Sequence, residues 1–109
     1  MTQVIEYNEN NYSDFEWFEG FAVIRFYADW CKPCVQNFPI FAELATYYAE
    51  VNPEVKFGKI NVDQEPELAR AFGVMSIPTV VFLKNGREVD RKVGLMPETA
   101  LEAALKQHL

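Results

Sequence analysis

Cys31 and Cys34 are the two cysteines of a 109-residue chain, separated by Lys32 and Pro33. Two thiols at this spacing allow three chemistries. A zinc site needs about four nitrogen or sulfur ligands. Beyond the cysteines the chain offers only His108, close to the C-terminus, so no metal is expected. A structural disulfide across so short a loop restrains the unfolded chain little, because the entropic gain grows with loop length. Reversible thiol–disulfide exchange remains, and it is the chemistry that uses this spacing: one thiolate attacks and its neighbour resolves the mixed disulfide.

The elements around the pair predict how it is held. Phe21 to Ala28 is a near-continuous apolar run of strand length, as expected of a strand buried on both faces. A helical pattern follows from Pro33 to Val51, with Cys34, Phe38, Phe41, Ala45 and Tyr48 forming an apolar stripe and Pro39 interrupting it. Cys31 therefore stands at the mouth of a long helix, where free N–H groups and the helix dipole favour an anion. A nucleophilic cysteine works as thiolate, so Cys31 is assigned the attack. Cys34, one turn further in on the apolar stripe, is the more buried resolving thiol. Lys32 adds an exposed positive charge, weakened by solvent screening.

The remaining signals alternate strand and helix. Val4-Ile5 reads as a short strand, and Asn10 and Asn11 are candidate caps for a short helix through Phe18. Val55 to Val62 is a strand, Pro66 opens a helix that Gly73 closes, and Thr79 to Leu83 is a strand. Asn85-Gly86 marks a hairpin into Glu88–Val93, and Pro97-Glu98 starts a last helix. The order β-α-β-α-β-α-β-β-α predicts an α/β fold in one domain, residues 1–109. Its central mixed sheet is mostly parallel with an antiparallel C-terminal hairpin, and helices cover both faces.

Composition excludes several partners. Half the residues are hydrophobic and 15% are aromatic, enough for one packed core. The net charge of −6 argues against nucleic acid. Five of the acids, Glu6, Glu9, Asp14, Glu16 and Glu19, lie in residues 1–20, which hold no Lys or Arg and read as a solvated face. No apolar run approaches the roughly 20 residues of a membrane span. Met1-Thr2-Gln3-Val4-Ile5-Glu6 lacks the pattern of a secretory signal. A cytoplasmic monomer is expected.

Ala28-Asp29-Trp30-Cys31-Lys32-Pro33-Cys34 resembles the active-site motif of the thioredoxin family, with Lys32 where glycine is most frequent. The resemblance spans the chain. Pro39, Lys59-Ile60-Asn61-Val62-Asp63, Phe72 to Thr79, Asn85-Gly86 and Gly94 are all similar to family segments. It implies a thioredoxin fold with Ile77–Pro78 cis beside the disulfide. It also implies a docking surface of Trp30, Lys32, Pro33, Ile77, Pro78 and Gly94, on which an extended client segment pairs with the backbone. No cofactor is implied, since the Cys31–Cys34 disulfide carries the electrons. The implied partners are client proteins with disulfides and a thioredoxin reductase or another thiol reductant.

Arg25 departs from the family, which typically has a buried aspartate six positions before the first cysteine, thought to handle the proton of the inner thiol. Arginine stays protonated and cannot do this. Buried, it must find a carboxylate, a carbonyl or a path to water. Near the sulfurs, Arg25, Lys59 and Lys32 would favour thiolate and make the protein more oxidising. Snorkelling to the surface, Arg25 would be structural. Val35 stands where a lysine is frequent, and Met96 where a capping Ser or Thr is common. Asp29 reads as a solvated loop residue able to partner Lys32 or Arg25, Asp63 as a turn or cap residue, and His108 as a surface residue. Three functions fit: a general disulfide reductase, a specialised oxidant or isomerase, and a partner-binding module with incidental redox activity.

Overall fold

The computed structural model describes residues 3–109; Met1 and Thr2, where the signal-segment reading begins, lie outside the described residues. The elements run β1 (Val4–Glu6), α1 (Ser13–Glu16), β2 (Phe21–Tyr27), α2 (Lys32–Val51), β3 (Lys56–Asn61), α3 (Pro66–Ala71), β4 (Thr79–Lys84), β5 (Arg87–Val93) and α4 (Glu98–His108). This is the order expected from the sequence.

The strands form one sheet in the order β1-β3-β2-β4-β5. β3 is parallel to both β1 and β2, whereas β4 is antiparallel to both β2 and β5. The expected restriction of antiparallel pairing to the C-terminal hairpin is thus corrected. Helix length supplies the reason. α2, with 20 residues, spans about 30 Å and carries the chain back along the sheet, so β3 starts at the same end as β2. α3, with 6 residues, spans about 9 Å, less than half the length of a six-residue strand. The chain therefore re-enters the sheet near where β3 left it: Tyr27 pairs with Asn61, and neighbouring Phe26 with Thr79.

Two apolar layers follow from the period-two alternation of β2. Phe21 and Val23 face α2 and α4 and pack with Phe41, Leu44, Tyr48, Leu101 and Leu105. Ala22, Ile24 and Phe26 face the other way, toward Phe15 of α1 and Leu68 and Ala69 of α3. Arg25 falls on the α2 side of this alternation, a cation in a strand otherwise apolar, and is 1% exposed. The predicted stripe of α2 is buried at Cys34, Phe41, Ala45 and Tyr48, with Leu44 joining it.

Local chemistry sets the element ends. The Asn85-Gly86 turn has positive φ at both residues, 53° and 80°, matching the twist of the hairpin it joins. Asn10 and Asn11 do not cap α1, whose N-cap is Tyr12 without a side-chain bond. The asparagines build the preceding turn instead: Asn8 N–H donates to Asn11 Oδ1 at 2.7 Å, and Asn10 N–H to Asn8 Oδ1 at 2.8 Å. The short side-chain amides compete with the helix for backbone groups and delay its start. α4 is capped at Pro97, not Met96, again with no side-chain bond.

Gly58 is a packing requirement. It lies in β3 between Ile5 of β1 and Ile24 of β2, and an added Cβ would overlap the ring of fully buried Tyr7. Gly58→Ala is expected to destabilise the chain by ~1–3 kcal/mol, read as a lower urea midpoint at constant slope. An unchanged midpoint would show that Tyr7 yields without loss.

Candidate functional site

β2 ends at Tyr27, and the turn through Ala28, Asp29 and Trp30 delivers Cys31 to the N-cap of α2. Cys31 N–H donates to Ala28 O at 3.2 Å, and Cys34 N–H donates to Cys31 Sγ at 3.2 Å. The outer sulfur thus receives a backbone donor of the first helical turn, the arrangement that favours negative charge on it. Pro33 occupies this turn, where its missing N–H leaves no bond unmade. Cys31 and Cys34 are joined in a disulfide. Cys31 is 5% exposed and Cys34 1%, so the inner cysteine is the more buried, as expected. Ala28, Tyr27, Val62 and Ile77 close an apolar jacket around them.

The cis Ile77–Pro78 bond packs against this jacket. Gly94, at φ 90°, donates its N–H to Pro78 O at 2.8 Å and ties the end of β5 to the proline loop. Trp30, Val62, Val74, Met75, Ser76 and Ile77 line a shallow cavity of about 180 Å³ beside the pair. Trp30 and Met75 form exposed apolar edges of it, at 69% and 97% exposure. Lys32 and Pro33 are exposed at the start of α2. Five of the six expected docking residues therefore lie around the cysteines: Trp30, Lys32 and Pro33 by chain position, Ile77 and Pro78 by packing. Gly94 joins through its bond to Pro78.

Two features were missed from the sequence. Met75 had no signal beyond its neighbourhood to the Ile-Pro pair. Asp63 lies in the turn after β3, as expected, but its carboxylate has a further partner. Asn61 Oδ1 accepts from the N–H of Asp63 and of Gln64, at 2.9 and 3.3 Å. This frees the Asp63 carboxylate to accept from Trp30 Nε1 at 2.7 Å and hold the indole beside Cys31. A pairing across 33 residues leaves no local trace.

Arg25 resolves the open alternatives. It does not snorkel: its side chain is buried, and Nη2 donates to the Cys34 backbone carbonyl. The guanidinium also lies over the Phe38 ring, 5.3 Å from its centroid. Among the described residues no carboxylate is within ion-pair distance of it, and the carbonyl is its hydrogen-bond partner. Burial lowers its pKa to about 10, which leaves it charged at neutral pH. Lys59, Arg25's partner in the β2–β3 register, turns to Glu6 at 3.7 Å and lies over Tyr27 and Phe38, at 5.5 and 4.9 Å. Lys59 nonetheless lines the same cavity as Arg25 and Cys34. Tyr27 Oη donates to the same carboxylate at 2.7 Å, and burial followed by Glu6 pushes the phenol pKa up.

Asp29 is exposed and among the described residues bonds neither Lys32 nor Arg25. His108 lies half-buried at the surface, with Nε2 3.2 Å from Asp90 Oδ2 on β5. Among the described residues there is no group of three or more His, Cys, Asp or Glu able to hold a metal. No helix is long and apolar enough to cross a membrane among those residues.

A disulfide pair at a helix N-cap, facing a cis-proline loop on a β1-β3-β2-β4-β5 sheet, defines a class. The family model Thioredoxin matches residues 3–107. The chain is 36% identical to a thioredoxin of Chlamydia muridarum over 108 residues, 99% of both chains. It is 41% identical to the Bacillus subtilis thioredoxin over 91 residues, covering 84% of this chain and 85% of that one. Among solved structures, Malassezia sympodialis thioredoxin superposes with a TM-score of 0.86 at 30% identity, covering 99% of this chain and 92% of that one. The chain belongs to the thioredoxin family. As such it is a thiol–disulfide oxidoreductase whose redox centre is part of the polypeptide.

The Asp63–Trp30 bond yields a prediction. In a Trp17→Phe background, where Trp30 is the reporter, Asp63→Ala should lower the steady-state fluorescence anisotropy. Global stability should move by less than about 1.5 kcal/mol. Unchanged anisotropy would show that packing alone orders the indole.

Proposed function

We propose that this chain is a general protein disulfide reductase with less reducing power than ordinary thioredoxin, recharged by a thioredoxin reductase in the cytoplasm. The observation that carries the reading is the asymmetry of the pair: Cys31 at the N-cap with a helical N–H on its sulfur, Cys34 one turn deeper. In the reduced form the Cys31 thiolate attacks one sulfur of a client disulfide, and the other client sulfur leaves as thiolate. Cys34, as thiolate, then attacks Cys31 Sγ, which closes the Cys31–Cys34 disulfide and releases the second client thiol. Two electrons pass to the client. Trp30, Lys32, Pro33, Ile77, Pro78 and Gly94 receive the client segment, with Met75 as an added apolar rim. The protein acts as a monomer.

The weaker reducing power follows from charge. Opening the disulfide creates an ionisable thiol on the residue whose carbonyl Arg25 already holds in a buried setting. A cation there stabilises thiolate, and with it the reduced form. Each pKa unit is worth about 1.4 kcal/mol, or about 30 mV for a two-electron couple. Lys32 acts in the same direction through solvent, with smaller effect.

Two measurements test this. Insulin reduction should proceed with dithiothreitol and with NADPH plus a thioredoxin reductase, and Cys34→Ser should accumulate a mixed disulfide that Cys31→Ser does not. Activity with dithiothreitol alone would point to a specialised role, and inactivity with both to a binding module. Against a reference thioredoxin couple the chain's potential should lie higher, and Arg25→Asp should lower it by about 30 mV or more. A potential at or below the reference would overturn the charge argument.

A further inference from the structure

A second cavity, also of about 180 Å³, shares Cys34 with the redox pair but none of Trp30, Ile77, Pro78 or Gly94. Arg25 and Lys59 line it as cations, and Tyr27, Ala28, Val35 and Phe38 give it apolar walls. Asp29 contributes one carboxylate from the exposed loop. Lys59 is answered in part by Glu6 at 3.7 Å. Among the described residues Arg25 is answered by the Cys34 carbonyl dipole and the Phe38 ring. A guanidinium has five N–H donors, and among those residues one of its nitrogens is engaged. A fully charged, almost wholly buried cation beside an open cavity, with no carboxylate on it, is a half-made ion pair.

We propose that this cavity binds a small carboxylate anion of about the size of acetate, and that the disulfide form binds it more tightly than the dithiol form. The fork of a guanidinium matches two carboxylate oxygens, and the walls suit a short apolar tail better than a strongly hydrated phosphate. In the disulfide form the sulfurs are neutral and the anion meets an uncompensated Arg25. In the dithiol form an ionised Cys34 meets the same cation and competes with the anion. By linkage, whatever binds the disulfide form more tightly shifts the couple toward it. The anion thus makes the chain more reducing. This redox half rests on the reading of Arg25 as a thiolate-stabilising group given above; binding to the disulfide form does not.

The test uses the full chain and sodium acetate, exchanged at constant ionic strength for the bulky anion 2-(N-morpholino)ethanesulfonate. In the oxidised chain, the backbone amide resonances of Arg25, Cys34 and Lys59 should shift saturably with acetate and not with the sulfonate. Arg25→Met should abolish the shifts. Val35→Trp, which narrows the mouth and keeps Arg25, should weaken them while insulin reduction persists, so the site is testable even if Arg25→Met does not fold. No saturable shift, or an equal one in both variants, overturns the site. The second readout is the equilibrium of the disulfide plus two glutathione with the dithiol plus glutathione disulfide. Saturating acetate should favour the protein disulfide by about threefold, about 14 mV, with no such effect in Arg25→Met. Saturable binding with an unmoved equilibrium overturns the competition with thiolate. A high acetate-free potential without binding overturns the site and leaves the charge reading of Arg25 standing.

Discussion

The junction of β2 with α2 joins a strand buried on both faces to a helix of 20 residues, and the catalytic sulfurs sit at that joint. A buried strand end cannot wander, so the first turn of the helix has a defined origin. One N–H of that turn, from Cys34, points at the Cys31 sulfur. The same helix is long enough to return the chain for a parallel strand, which puts β3 beside β2 and Lys59 beside Arg25. The short α3 cannot repeat the manoeuvre, and β4 therefore begins next to the cysteines with its cis-proline loop facing them. The lengths of two helices thus decide both the topology of the sheet and the composition of the site.

A buried cation modifies this arrangement. Arg25 occupies a slot on the α2 side of β2 between apolar Val23 and Val80, with Lys59 beside it on β3. Its charge is tolerated because the Cys34 carbonyl and the face of Phe38 replace part of its hydration. Neither carries a full negative charge, so the electrostatic compensation is incomplete while the sulfurs are bonded to each other. In the reading proposed above, a thiolate formed on reduction supplies the missing charge, and the redox state of the pair and the solvation of Arg25 become one electrostatic problem.

Element types were legible because the determinants are local: period-two and period-3.6 apolar patterns, Pro33 and Pro66 at helix starts, and Asn85-Gly86 at a hairpin. The roles of the cysteines could be read for the same reason, from one turn of helix. What escaped was set by distance or competition. The side-chain oxygens of Asn8 and Asn11 accept from backbone N–H groups of their own turn rather than of α1. Asp63 reaches Trp30 only once β3 lies beside β2. Lys59 finds Glu6 because β1 pairs with β3. The antiparallel sense of β4 depends on the reach of α3, a length rather than a propensity.

By itself the sequence determined that two thiols stand at the opening of a long amphipathic helix after a buried strand, and that disulfide exchange is the chemistry. It also determined that an arginine stands where the family keeps an acid. Tertiary structure decided where that charge goes. Burial and a carbonyl on α2 rule out the surface, a choice that depends on the packing of two elements and not on either segment alone. It decided likewise that Lys59 serves Glu6 and that Trp30 is held by Asp63, since contacts between strands and loops distant in sequence exist only once the sheet has set their register.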